Sequence, residues 1–349
     1  MLTVTLRDLQ WRARRFVIAG IGAATVFAIT LVMAGLVSSF ETEPQRVLDA
    51  AGADAWVMPA GVEGPFATIS VLPESTATAV AKEPGVRQAS PVVVVHHTVE
   101  LGTTLDVEVL AYDDGGLGTP PIDRGRLPRG PLELVADRTL GVGLGKHLKL
   151  AGKDFLVVGL TRGLTMNGGQ PMLYTRLHDA QKTFVNGAPV ISAVLTKGVP
   201  RQLPPNLQAR SVAQTKADMI RPISSALNSV RLTLYLLWGV AALVVGSVVY
   251  LSALERVRDF AVYKATGWST RQLATGLAVQ SVLLSTAASV LGIVLAQLML
   301  PVFPLEFSVP SSARLLLPAI GVLVGLLASA VGLRRAVGVQ PALAFGAQQ

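Results

Sequence analysis

The residues best suited to chemistry are few, and their spacing argues against each chemistry in turn. The run GVGLGKH at 141–147 brings glycines up to a lysine, the ingredients of a phosphate-binding loop. A Walker A loop needs G-x-x-x-x-G-K-[ST], yet Leu140 stands at the first glycine position and His147 where a magnesium-binding hydroxyl belongs. Lys146 likewise fills the last glycine position of G-x-G-x-x-G, so the run is expected to be a turn entering the strand HLKL, without an ATP site. His96 and His97 are neighbours on an expected strand, where successive side chains point to opposite faces, so they cannot share a metal as a simple pair. One should face the core and the other solvent. Asp113 and Asp114 sit among glycines, where aspartate favours local backbone hydrogen bonds over calcium. With no cysteine there is no thiolate nucleophile, disulfide or cysteine zinc site, and neither G-x-S-x-G nor H-E-x-x-H occurs. The expectation is a chain that is not an enzyme and binds no cofactor or metal itself.

The elements around these residues are built for lipid. Of 349 residues 51% are hydrophobic and only 15% charged, against about a quarter charged in soluble domains. Four windows hold no charge: 25 residues from Phe16 to Phe40, 23 from Leu232 to Leu254, 34 from Gln272 to Leu305, and 19 from Leu315 to Leu333. Each reaches the ~20 residues with which a helix crosses ~30 Å of hydrocarbon, so four transmembrane helices are expected at 16–40, 231–254, 273–300 and 314–333. Pro301 and Pro304 should end the third and leave a short external loop, 301–313. A cleaved signal peptide is the alternative for the first window, but its length exceeds the ~7–15 residues of a signal-peptide core, which favours a retained anchor.

Charge bookkeeping orients the spans. Residues 1–15, the loop 255–271 and the tail from Arg334 together carry seven of the eight net positive charges, whereas residues 41–230 hold 18 basic and 18 acidic side chains. The positive-inside rule puts both termini and that loop in the cytoplasm of a bacterial inner or plasma membrane. These arginines flank spans and do not form a stripe with interleaved aromatics, so nucleic acid is not an expected partner.

Between the first two spans lies a stretch, 41–230, long enough for its own core, expected as an extracytoplasmic α+β domain with a stalk helix. Candidate strands are DAWVM at 54, VVVVHHTV at 92, LDVEVLA at 105, LELVA at 132, DFLVVGLT at 154 and VISAVLT at 190; STATAVAKEPG and RLHDAQKTFVNG read as short helices. AYDDGGLGTPPIDRGRLPRGP reads as a turn-rich loop. From Met219, Ile220, Ile223, Leu227, Val230 and Leu234 recur every three or four positions, so one helix should run into the second span unless Pro222 interrupts it. Residues 1–15 suit either an interfacial helix or an ordinary basic flank.

Within the spans Gln280 and Gln297 are the polar residues to explain, and Gly276, Ser285, Ser289 and Gly292 add a face of small residues; interhelical packing is the expected role of all six. No acid or base lies within a span to mark an ion path. The densest polar segment, ERVRDFAVYKATGWSTRQLA at 255–274, lies between two apolar runs. Its charges enforce topology, or they serve recognition by a short amphipathic helix anchored by Phe260, Val262, Tyr263 and Trp268.

This order of parts resembles the MacB/FtsX-type permease family of ABC transporters over essentially the whole chain. The sharpest resemblance is the acidic/basic cluster, K-A-x-G turn and apolar helix with a later glycine, here Glu255, Arg256, Lys264, Ala265, Gly267 and Gly292. VADRTLGVGLGKHLKLAGKDFLVVGL and RRAVGVQPALAF, the latter through Arg335, Pro341, Ala342 and Ala344, are similar to the family's external stretch and C-terminal ending. Asp259-Phe260-Ala261 departs from a common Glu-Ile-Gly, and Gln280 holds a position commonly acidic. The resemblance implies a coupling helix, 255–272, that docks on a separate cytoplasmic ATPase through Glu255, Arg256, Arg258, Asp259, Phe260, Tyr263, Lys264, Gly267 and Trp268. It also implies MgATP on that partner, a second permease chain in a homodimer, and either handling of lipophilic substrates or mechanical drive of an external partner. Other open readings are a small-solute import permease, although its E-A-A-x-x-x-G loop is missing, and a membrane-anchored sensor or adhesion protein without an ATPase.

Overall fold

In the computed structural model, residues 13–255, 262, 266–299 and 311–337 are described. The described residues divide into a helical unit, 13–38 with 229–255, 262, 266–299 and 311–337, and a sheet domain, 39–228. Among the described residues four helices are long and apolar enough to cross a membrane: Gly20–Ala51, Val212–Glu255, Thr270–Met299 and Ser312–Val331.

Helix α1, Ala13–Ala51, does not stop where the charge-free window ends; it continues through Pro44, carrying Glu41, Glu43, Arg46 and Asp49. The boundary expected at residue 40 marks a change of surroundings and not of backbone. Val47 and Leu48 on this last stretch are 1% exposed and belong to the core of the sheet domain. The second span is likewise entered by a helical run: α4, Val212–Ile220, a 3-10 turn at Arg221–Ile223, and α5, Ser224–Glu255. Pro222 falls in the first turn of the 3-10 segment, where its missing N–H leaves one hydrogen bond of the run unmade without ending it. Helix α6 is Thr270–Met299 and α7 is Ser311–Val337, which keeps Pro318 inside it.

The sheet domain is α+β. Its main sheet has eleven strands, with short helices α2, Ser75–Val80, and α3, Leu177–Phe184. The central strands are β1 (Ala55–Pro59), β3 (Gln88–Glu100), β4 (Thr104–Tyr112), β6 (Glu133–Asp137), β8 (Lys153–Thr161), β10 (Gln170–Arg176), β12 (Ala193–Lys197) and β13 (Leu207–Ser211). They run in the order β13-β1-β12-β3-β4-β10-β6-β8, and the edge strand β5, Arg124–Gly125, follows. β10 pairs parallel to β4 and β6 parallel to β8; the other pairs along this path are antiparallel. β7, His147–Leu150, pairs with β8, and β9, Thr165–Met166, forms a hairpin with β10. A separate pair joins β2, Leu72–Pro73, to β11, Val190–Ile191.

Alternation along the strands separates the cores. Trp56, Met58, Val92 and Tyr174 face a core that also holds Val47 and Leu48 of α1 and Met219 of α4. Val57, Val93 and Val194 face the opposite side with α2 and α3. The strands expected from sequence at 54, 92, 105, 132, 154 and 190 all appear; β10 and β13 were not among them, and VISAVLT is divided between β11 and β12.

Candidate functional site

The sequence singled out two sets of residues, the loop after the second span and the polar positions of the third. In the loop, residues 256–261 and 263–265 lie outside the described residues, so the readings for Arg256, Arg258, Asp259, Phe260, Tyr263 and Lys264 rest on sequence. The described positions are informative. Glu255 is the last residue of α5, and Val262 is helical and 49% exposed. The backbone N–H of Thr266 donates to the carbonyl of Val262 at 3.0 Å. Gly267 follows at φ +91°, a backbone conformation that a Cβ disfavours. Trp268 comes next, and Ser269 then caps α6: the N–H of Gln272 donates to its hydroxyl at 3.3 Å, while the Gln272 amide oxygen accepts from the Ser269 N–H at 2.9 Å. This reciprocal box fixes where α6 starts, and Gly267 supplies the reversal before it.

Behind the loop, α6 presents a buried face of small and polar residues to α1 and α7. A Cβ on Gly292 would lie 2.7 Å from Cβ of Phe27 and 3.1 Å from the carbonyl oxygen of Ala24, so α1 and α6 approach at backbone distance there. The Ser285 hydroxyl donates to the carbonyl of Gly321 at 3.0 Å, and that of Ser289 donates within α6 to the carbonyl of Ser285 at 2.7 Å. Gln280 is buried on the same face, Gly276 is half-buried, and Gln297 is exposed within the single chain. Gly321 and Gly325 on α7 were missed in the sequence reading. A Cβ on Gly321 would meet the Phe27 ring at 3.3 Å, and one on Gly325 would meet Ser281 and Ser285 at 3.2 Å. The G-x-x-x-G spacing of GVLVG was the available signal, because small residues four apart line one helix face.

In the sheet domain, the end of α1 is fastened to the β9–β10 hairpin. Asn167, Gly168 and Gly169 all have positive φ, which turns two successive N–H groups the same way. Both donate to Oε2 of the buried Glu43, from Gly168 at 2.9 Å and Gly169 at 3.1 Å. The Phe40 ring covers the turn so closely that a Cβ on Gly168 would lie 2.8 Å from it.

The motifs set aside on sequence take local roles. Gly141, φ +75°, ends the 3-10 turn Arg138–Leu140, and Gly145, φ +77°, precedes β7. Asp137 beside that turn accepts from the Thr161 hydroxyl and the Leu164 N–H, both at 2.8 Å. Asp113 accepts from the N–H of Asp114, and Asp114 pairs with Arg176. His97 accepts from the Ala151 N–H at 2.8 Å with its ring edge against Phe184, while His96 is exposed and turns toward Glu108 on β4. Of the two histidines neither is fully buried, so the expected core-facing one is only half-buried.

The chain is similar to several known proteins. The FtsX-like permease C-terminal family matches residues 231–341. An ABC transporter permease of Mycobacterium tuberculosis is 43% identical over 347 residues, covering 99% of both chains. A second from the same organism is 41% identical over the same span. Among solved structures, the extracellular domain of the transporter YknZ from Gram-positive bacteria aligns at 16% identity and TM-score 0.33, covering 43% of this chain and 84% of that one. The periplasmic region of MacB from Actinobacillus actinomycetemcomitans aligns at 12% and TM-score 0.34, covering 48% and 93%. Identity above 40% along the full length of those permeases settles the kinship: the chain belongs to the ABC transporter permeases, with an FtsX-like permease region at its C-terminal end.

Proposed function

We propose that this permease converts ATP hydrolysis on a separate cytoplasmic ATPase into movement of its sheet domain outside the membrane. The observation that carries the reading is the polar segment between α5 and α6. It holds four basic and two acidic residues within 255–271, and it is bounded by Glu255 at the end of α5 and by the Gly267 reversal and Ser269 cap at the start of α6. A short segment fixed at both ends transmits force to the helices that hold it, whereas a loop serving topology alone needs no such punctuation. On this reading MgATP is held by the partner, and GVGLGKH lacks the spacing of a phosphate-binding loop.

The output side is supported by helix continuity. α1 and the α4–α5 run both extend from apolar span to sheet domain without a non-helical break, and both place residues, Leu48 and Met219, in the same core. The exposed apolar face of α5, with Leu232, Leu236 and Leu243 each more than 60% exposed, suits lipid and a second copy of the chain in a homodimer. Charge asymmetry favours both termini in the cytoplasm of a bacterial cell membrane. The work done would be export or extraction of lipophilic substrates, or mechanical drive of an external partner.

Arg258→Glu tests the docking. A charge reversed at a docking surface costs assembly when the partner is complementary. The variant should release the ATPase on purification and uncouple its hydrolysis, and a compensating reversal on the ATPase should restore both; unchanged assembly and coupling would overturn the contact.

A further inference from the structure

A cavity of about 550 Å³ opens on the sheet domain, within the ~300–1,000 Å³ range of small-molecule sites. Its walls come from the segment 65–71, β3, the end of α3 and β11, with Phe66, Val93, Val95, Phe184, Val190 and Ile191 supplying an apolar lining. Ile69 and Val71 on its rim are 92% and 58% exposed, apolar surface that a monomer gains nothing by showing to water. The polar groups of the lining are mostly spent. Ser70 donates to the carbonyl of Ser192, the Ser192 hydroxyl bridges the backbone N–H and carbonyl of Val94, and Thr68 donates to the carbonyl of Gly64.

Glu108 is the exception. It is 5% exposed yet lines the cavity. Its Oε2 lies 3.4 Å from Nδ1 of His96, and its Oε1 has no hydrogen-bond partner among the described residues. Burial pushes its carboxyl up to about 7, with the neighbouring His96 pulling the other way. The groups around it are His96 on β3, Asp106 on β4, 3.6 Å from Nε2 of His96, and the neutral Gln170 on β10, 3.1 Å from Nδ1 of His96. No lysine or arginine lines the cavity. Three or more ligand-type side chains do not gather into a metal site among the described residues.

We propose that this cavity binds an alkylammonium amphiphile, with the chain against the apolar walls and the N–H donors of a primary or secondary amine on Glu108. The requirement for a donor follows from Oε1: a quaternary head has no N–H to offer, and an uncharged alcohol offers a donor without restoring charge balance to a buried carboxylate. The site stands apart from the coupling reading, since it needs neither ATPase nor nucleotide.

Equilibrium dialysis of the full chain in lipid nanodiscs, against empty nanodiscs, tests the proposal with labelled octylamine and 1-octanol at pH 8. Octylamine is expected to bind saturably and at least tenfold tighter than 1-octanol, a gap of about 1.4 kcal/mol. Glu108→Gln should erase that gap while leaving 1-octanol bound. Ala67→Trp, on the cavity wall, should reduce both. Lowering the pH to 6 protonates Glu108 and should weaken octylamine severalfold without moving 1-octanol. No saturable binding, equal affinities for the two probes, or an undiminished preference in Glu108→Gln would each overturn the assignment.

Discussion

Glu43→Ala should detach the end of α1 from the sheet domain. One carboxylate oxygen of the buried Glu43 accepts both the Gly168 and Gly169 N–H groups, at 2.9 and 3.1 Å, so truncation leaves two donors without an acceptor. Each buried donor left unmade costs ~1–3 kcal/mol, and some relaxation of the glycine turn returns part of it, so the expected loss is about 3 kcal/mol. For a domain of this size that corresponds to roughly 6–12 °C in unfolding midpoint. Glu43→Gln keeps an oxygen in the same place and should lose about 1 kcal/mol, the difference between a charged and a neutral acceptor. Thr165, a further hydrogen-bonding neighbour of the carboxylate, is placed to accept from the new amide. Thermal unfolding of the full chain in nanodiscs, with amide hydrogen exchange read at Gly168 and Gly169, measures both effects. Equal shifts for alanine and glutamine, or wild-type exchange at those two amides in Glu43→Ala, would refute the anchor.

Gly292→Val should disrupt the helical unit, since even a Cβ there overlaps Phe27 at 2.7 Å; loss of the folded species on detergent extraction would report it, against little change for Gly239→Ala, where a Cβ meets nothing within 4 Å. Gly267→Val should cost ~1–2 kcal/mol locally because its φ of +91° suits glycine, and should lower ATPase coupling without lowering the yield of the permease. The Arg126 guanidinium, with the N–H groups of Arg129 and Gly130, holds the Glu133 carboxyl down at about 2, well below its usual 4.5. A depressed carboxylate stabilises the fold above its unfolded pKa and loses that contribution as pH falls toward the folded value. Urea midpoints should therefore drop more between pH 5 and 3 in wild type than in Glu133→Gln.

What the sequence made legible follows from the strength of each physical signal. Charge-free windows near twenty residues and an alternating run such as VVVVHHTV carry their elements on their face. β10 did not, although it sits mid-sheet between β4 and β6, because GGQP at its start carries the marks of a turn. Pro171 lies at the second residue of that strand, paired only with the short β9, where the missing N–H is tolerated. The extension of α1 past Phe40 was hidden because a charged, proline-containing stretch reads as the end of a span, whereas the core around Val47 and Leu48 keeps it helical. In the helical unit the serines and Gly292 were found by size and spacing on α6, but their partners Gly321 and Gly325 required reading α7 for the same pattern. The partnership of Glu43 with a turn 125 residues away leaves no local mark in sequence.

The central claim is that the α5–α6 segment touches an ATPase, and the absence of native cysteine allows a clean measurement. Val262→Cys, at a position 49% exposed, gives the chain a single thiol for a short bifunctional cross-linker in cells that express the proposed partner ATPase. The account predicts a covalent permease–ATPase product from Val262→Cys that grows when hydrolysis is trapped, and none from Ile69→Cys on the sheet domain. Cross-linking from Ile69→Cys but not from Val262→Cys, or no ATPase product from either while the two proteins copurify, would contradict it.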